Sequence, residues 1–189
     1  MLRAIQKLKS RRGNVTSMWI AGLPIFMFMF LCIGSMVTAW VGHSQAQVAA
    51  DGASLAVTKK LDALVEAEIQ RQIQIAEARN AACNCYVDPW YQVLGTPQQR
   101  QALVAQVITT NQGTLISTAK DYLARNHAST KGKLTIVKDH RVQVEAQVKY
   151  HPLIFQDRFK DVYVKGKGSG PVRRYLKWLN NRSVLNQSF

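Results

Sequence analysis

Between Met18 and Val41 the chain runs for 24 residues without an Asp, Glu, Lys, Arg or His. Roughly 20 apolar residues carry a helix across the hydrocarbon core of a bilayer, so this run fixes one element and its surroundings. Pro24 and Gly34 are costly in a soluble helix but frequent in membrane helices. Trp19 and Trp40 stand near the two ends, where indoles favour the interface. A buried helix of a soluble protein is the bland alternative, and it rarely stays free of charge for so long. The apolar core of a cleaved secretory signal is about 7–15 residues, shorter than this run, although Ala46, Ala49 and Ala50 supply small residues beyond it.

Charge sets the orientation. Arg3, Lys7, Lys9, Arg11 and Arg12 precede the run, and no acidic residue occurs before Asp51. Positive charge stays on the cytoplasmic side, which places the N-terminus inside and the rest of the chain outside. The net charge of +14 also raises a nucleic-acid-binding arm as a competing reading of the same tail. The expected organisation is a basic cytoplasmic tail over 1–14, a transmembrane helix over 15–42, an amphipathic stalk helix over 43–79 and an extracytoplasmic α+β domain over 80–189.

Leu61, Val65, Ile69 and Ile73 recur every four residues, with Leu64 and Ala76 beside them, and Glu66, Glu68, Arg71, Glu77 and Arg79 fall mostly on other faces. That stripe predicts an amphipathic helix, packed either into its own domain or against other subunits. Residues 80–96 read as a loop. Thr96, Pro97 and Gln99 then form a helix start with a capping box, and Leu103, Val104, Val107 and Ile108 make the buried face. Asn111 to Gly113 interrupt a helical pattern that resumes through Leu115, Ala119, Tyr122 and Leu123. From Leu134 the period changes to two. Val142, Val144, Ala146, Val148 and Tyr150 alternate with polar residues, which predicts an antiparallel hairpin turning at Lys138–Arg141 and stopped by Pro152. Asp161–Lys165 reads as a third strand, Gly166, Gly168 and Gly170 as a flexible turn, and Val172, Tyr175, Leu176 and Leu179 as one side of a last helix. The fold class is α+β, with about three strands.

The sequence offers no catalytic constellation: no GxSxG, P-loop, HExxH or GxGxxG is present, and no enzyme and no cofactor are expected. Gly166-Lys167-Gly168-Ser169-Gly170 lacks the closing Gly-Lys-Ser/Thr of a phosphate loop. His43, His127, His140 and His151 show no ligand spacing beside the Cys83/Cys85 pair, so no metal is expected. Cys32 reads as a small apolar residue of the span. Cys83 and Cys85 are either free thiols in a loop, a tight disulfide ring, or partners of another chain in an oxidising compartment. Eight cations, Arg158, Lys160, Lys165, Lys167, Arg173, Arg174, Lys177 and Arg182, surround a single acid, Asp161, with Tyr163, Tyr175 and Trp178 interleaved. The cluster is either a solvated basic face or a contact for a polyanion such as DNA, a cell-wall polymer or an anionic membrane.

The first sixty residues carry a resemblance. Arg11-Arg12-Gly13-Asn14-Val15, the apolar run with its early Pro24, and Ala49-Ala50-Asp51-Gly52-Ala53-Ser54-Leu55-Ala56 resemble, in that order and spacing, the start of Tad/Flp pilus-assembly proteins of the TadE/TadG kind. The resemblance covers about a third of the chain and more weakly includes Val142–Phe155. It implies a bacterial envelope protein that acts as a minor pilin or an anchored assembly component, with other pilin-like or Tad proteins as partners and no small-molecule substrate. In pilin-like members prepilin peptidase cuts after the glycine, here between Gly13 and Asn14, and a glutamate follows five residues on. Here that position is Met18. The departure leans toward members that keep the helix as an uncleaved anchor. The runner-up is a membrane-anchored extracytoplasmic domain that binds a polyanion through its basic C-terminal face.

Overall fold

The computed structural model describes residues 15–179 and 184–189, apart from the side chains of residues 15–17, 137 and 138. Its architecture is α+β, and it divides into two compact units. Helix α1, Val15–Cys83, enters both. The described part of the first unit comprises residues 15–40 and His151–Lys160, and the second comprises Val41–Tyr150 and Asp161–Phe189.

In the first unit the helix shows apolar side chains to its surroundings. Trp19 is 73% exposed, Phe26 63% and Phe30 60%, and none of the most apolar window is buried. A soluble protein rarely leaves so large an apolar surface uncovered. Among the described residues this is the one helix long and apolar enough to cross a membrane. Two of its polar side chains bond back within the helix: Ser35 Oγ donates to the Leu31 carbonyl at 2.9 Å, and Thr38 Oγ1 to the Ser35 carbonyl at 2.8 Å. In hydrocarbon, where water supplies no partner, such back-bonding removes the penalty of a bare hydroxyl.

The second unit is built around the remainder of α1. Its stripe runs through Ala46, Ala49, Ala50, Ala53, Val57, Leu61 and Val65 to Ile73 and Ala76, all buried, while Ile69 is partly covered. The expected buried stripe therefore begins fifteen residues before Leu61, in alanines rather than large side chains. Helix α2, Pro89–Leu94, is a short turn inside the stretch expected to be loop; Asp88 caps it by accepting from the Trp90 amide. Helix α3, Pro97–Thr110, starts with the predicted capping box, Thr96 Oγ1 accepting from Gln99 N at 3.2 Å and Gln99 Oε1 from Thr96 N at 3.0 Å. Asn111 alone makes the break before α4, Gln112–Arg125, and Gly113 stays helical. Helix α4 ends in a Schellman motif: the Ala128 amide donates to the Leu123 carbonyl, the His127 amide to Ala124, and His127 takes the left-handed position at φ 57°.

Four strands follow, β1 Lys133–Lys138, β2 Arg141–Lys149, β3 Tyr163–Ser169 and β4 Leu185–Ser188, in antiparallel order β3-β2-β1-β4. The hairpin turns at Asp139 and His140, both at positive φ, as a type I′ turn requires of its two central residues. Three expectations change here. Gly166 and Gly168 are not a flexible turn: they belong to β3, which runs past Lys165 to Ser169, and all three glycines are buried. Their alternation with Lys165, Lys167 and Ser169 is itself a period of two, with a face that carries no side chain. The last helix is a 3₁₀ turn, Tyr175–Leu179, which buries Leu176 and Leu179 and leaves Val172 exposed. The sheet gains β4, whose only buried residue is Leu185.

On the covered face, side-chain size grades across the sheet. Glycines 166 and 168 stand in β3, opposite Ala146 and Val144 of β2, and Leu134 and Ile136 of β1 lie beyond. Leu103, Val104, Val107 and Ile108 of α3 and Leu115, Ala119 and Leu123 of α4 join the same core. Burying a leucine-sized side chain contributes about 1.5–3 kcal/mol, so the large end of the sheet carries most of the apolar stabilisation. The glycine end serves closeness instead.

Candidate functional site

That closeness is where α1 and β3 meet. A Cβ added at Gly42 would rest against Val164 at 3.8 Å, an ordinary contact. A Cβ at Gly166 would collide with the backbone of Ala46 and Gln47, one at Gly168 with that of Ala50 and Asp51, and one at Gly170 with Thr58 Oγ1 and, at 3.2 Å, the Ser54 carbonyl. No described glycine has a positive φ, so these positions need glycine for space and not for conformation. The pairs 42/164, 46/166 and 50/168 advance four residues along the helix for every two along the strand. Four helical residues rise about 6.0 Å. Two strand residues rise about 6.6 Å. The two pitches nearly coincide, so the contact recurs over three successive pairs, with the Val164 side chain against the helix at the first and backbone against backbone at Gly166 and Gly168.

Polar groups pin the seam at both ends. The His43 ring, protonated at Nδ1, donates to the Lys165 carbonyl at 2.9 Å. The Ser169 amide donates to Asp51 Oδ1 at 3.3 Å. Ser54 Oγ donates to the Asp51 carbonyl and Thr58 Oγ1 to the Ser54 carbonyl, so the small polar residues of the helix face are satisfied within the helix. Further along α1, Asp62 clasps the segment after β3. Arg173 approaches it with two nitrogens, Nε to Oδ1 at 3.0 Å and an Nη to Oδ2 at 2.7 Å, and Tyr175 donates its hydroxyl to Oδ1 at 2.7 Å. Burial, and then the Asp62 carboxylate, push the Tyr175 phenol well above its ordinary value. Neither this clasp nor the seam stood out in the sequence. The alternating glycines opposite a run of alanines were the available signal for the seam.

The described members of the eight cations are divided between the two units. Arg158 and Lys160 belong to the first unit, where Lys160 pairs with Asp157 at 2.8 Å. Lys165 and Lys167 lie on the exposed face of β3, and Lys167 pairs with Glu145 at 3.0 Å. Arg173 is committed to Asp62, whereas Arg174 and Lys177 are exposed. Arg182 lies outside the described residues, as do Gly13, Asn14 and the five basic residues before them. Cys83 and Cys85 sit at the exposed end of α1 with their sulfurs joined, their Cα atoms 5.2 Å apart. Among the described residues no three His, Cys, Asp or Glu side chains gather as a metal-ligand set.

Residues 13–63 match the family described as "Putative Flp pilus-assembly TadE/G-like". This is a TadE/G-like segment. It takes in the apolar helix, the alanine face of the seam and Asp62, a little over a quarter of the chain. No curated protein and no solved structure matches. The match over this segment supports a role associated with pilus assembly, and the apolar helix supports membrane anchoring.

Proposed function

We propose that the chain is an anchored structural component of a Tad/Flp pilus or secretion apparatus, with its N-terminus in the cytoplasm and the α+β unit outside. In this reading it retains Met1–Gly13 and contributes no chemistry of its own. The observation that carries the proposal is the occupancy of α1 just beyond the apolar run. Its small-residue face, the part of the TadE/G-like segment best suited to close helix packing, is filled by β3 of the same chain. A filament subunit that packed through this face would first have to give up the seam. Met18, standing where a processed pilin carries glutamate, supports the same reading, and retained basic residues hold orientation at about 1 kcal/mol each near an anionic leaflet. Dispersal of the cations over two units, with three of them paired, gives no similar support to the polyanion reading.

N-terminal sequencing of the protein extracted from membranes tests the proposal. A start at Met1 is the expected result. A start at Asn14 makes the chain a processed minor pilin instead. Co-purification with other Tad proteins in either form separates an assembly role from an isolated binding domain.

A further inference from the structure

His151–Lys160 belongs to the same compact unit as the apolar helix, not to the unit that holds the strands on either side of it. Its tip is Pro152-Leu153-Ile154-Phe155, four residues without a polar side chain, and a 3₁₀ turn at Gln156–Arg158 follows. Leu153 is 54% exposed and Phe155 61%, in a surface loop where such side chains are expected to be covered. Phe155 sits at φ 58°, a conformation that bulky residues avoid. The Arg158 amide donates to the Phe155 carbonyl across this turn, and Asp157 pairs with Lys160.

The decisive contact is with the helix. Leu153 lies over Gly34, so close that a Cβ there would come within 2.5 Å of its Cδ1. Gly34 stands 16 residues beyond Met18 in the apolar run, about 24 Å along the helix axis. The hydrocarbon core is about 30 Å thick. A side chain resting on Gly34 is therefore level with the acyl chains of the leaflet on the C-terminal side, a few ångströms below its headgroups.

From this contact, together with the exposed apolar tip, we infer that residues 151–160 form a second membrane contact. This rests on α1 spanning the bilayer. Leu153 and Phe155 enter the interface of the leaflet beside the span, and Arg158 and Lys160 stay at headgroup level. The partner is the lipid itself. Amphipathic helices that lie in the interface bury their apolar face about 5–10 Å into the headgroup–acyl boundary, a depth comparable with the level of Gly34. The loop thereby gives the unit two points on the membrane surface in place of one.

The test uses the full chain, with its three cysteines replaced by serine, reconstituted in phosphatidylcholine–phosphatidylglycerol vesicles. A nitroxide is attached in turn through Phe155→Cys, Gln156→Cys and Met29→Cys, and collision rates with oxygen and with a water-soluble nickel chelate are compared. Oxygen collisions several-fold above nickel collisions at Phe155, with Met29 more strongly biased still, are expected. Gln156→Cys reports on the same turn should Phe155→Cys disturb it. Water-like ratios at both loop positions with Met29 embedded overturn the loop and leave the anchor standing. Protection from both reagents means that protein covers the tip, and overturns it too. A water-exposed Met29 removes the anchor and the inference together.

Discussion

Replacing Gly168 by alanine tests the seam. In most strands this change is neutral or helpful, because glycine in a strand interior costs roughly 0.5–1 kcal/mol relative to alanine. Here the added methyl would meet the Ala50 carbonyl group and the Asp51 amide, which are backbone atoms of a helix and cannot rotate aside. The strand must move outward, which loosens the ladder to Val144 and the bond from Ser169 to Asp51. Overpacking costs about 1–3 kcal/mol, and a rigid obstacle argues for the upper half, about 2–3 kcal/mol. At roughly 3–4 °C per kcal/mol for a unit of this size, the melting temperature should fall by about 6–12 °C. Gly113→Ala is the control: nothing lies within 4 Å of a Cβ there and the position is helical, so the same substitution should stabilise by about 0.5–1 kcal/mol. Thermal melts of the full chain in detergent, followed by near-ultraviolet circular dichroism, measure both. Should Gly168→Ala melt at or above the parent, the close approach of β3 to α1 is wrong.

Asp62→Ala should cost about 1–2 kcal/mol, a charge-assisted pair discounted for its partial exposure, as read from chemical denaturation. The same change should move the Tyr175 phenol down toward its ordinary value, measured by phenolate absorbance, although burial still holds it up. Because the folded phenol binds its proton more tightly than the unfolded one, its contribution to stability is complete below about pH 10 and is lost as the pH rises above that. His127→Gly should raise stability by about 0.5–1 kcal/mol, since glycine takes the left-handed position of the Schellman motif without strain; an unchanged melt refutes the motif. After reduction, Cys83 and Cys85 should react with a membrane-impermeant thiol reagent in intact cells stripped of any outer layer, whereas labelling only after lysis reverses the proposed orientation.

Elements specified by their own neighbours were legible in the sequence. The apolar run, the Thr96–Gln99 capping box and the Val142–Tyr150 alternation each declare themselves within one continuous stretch; the first two take the secondary structure read from them, and the strand forms as far as Lys149. Misreadings concentrate where long-range contact overrides local preference. Gly166 and Gly168 have the composition of a turn, and only a helix more than a hundred residues earlier makes them a strand face. Leu185–Ser188 offers one apolar residue in four, too little pattern for a strand; pairing with Lys133–Ile136 supplies what its composition lacks. The Tyr175–Leu179 segment has a helical stripe, but Arg173 and Tyr175 are held at Asp62 and the segment tightens into 3₁₀. Among the candidate site residues, the cations were grouped because they are close in sequence; the described ones fall in both units, Arg158 and Lys160 in the first and the others in the second.

The seam also behaves as a rack engaging a worm. Each tooth on the strand is an empty glycine face, and each thread of the helix is one four-residue advance. Inserting a single residue between Ala46 and Ala50 turns everything beyond it by about 100° and presents the wrong face to Gly168. Inserting four residues restores the face and shifts the engagement by one tooth. Chain length in this part of α1 is therefore tolerant of change only in multiples of the thread, however freely the exposed positions between the teeth vary in kind.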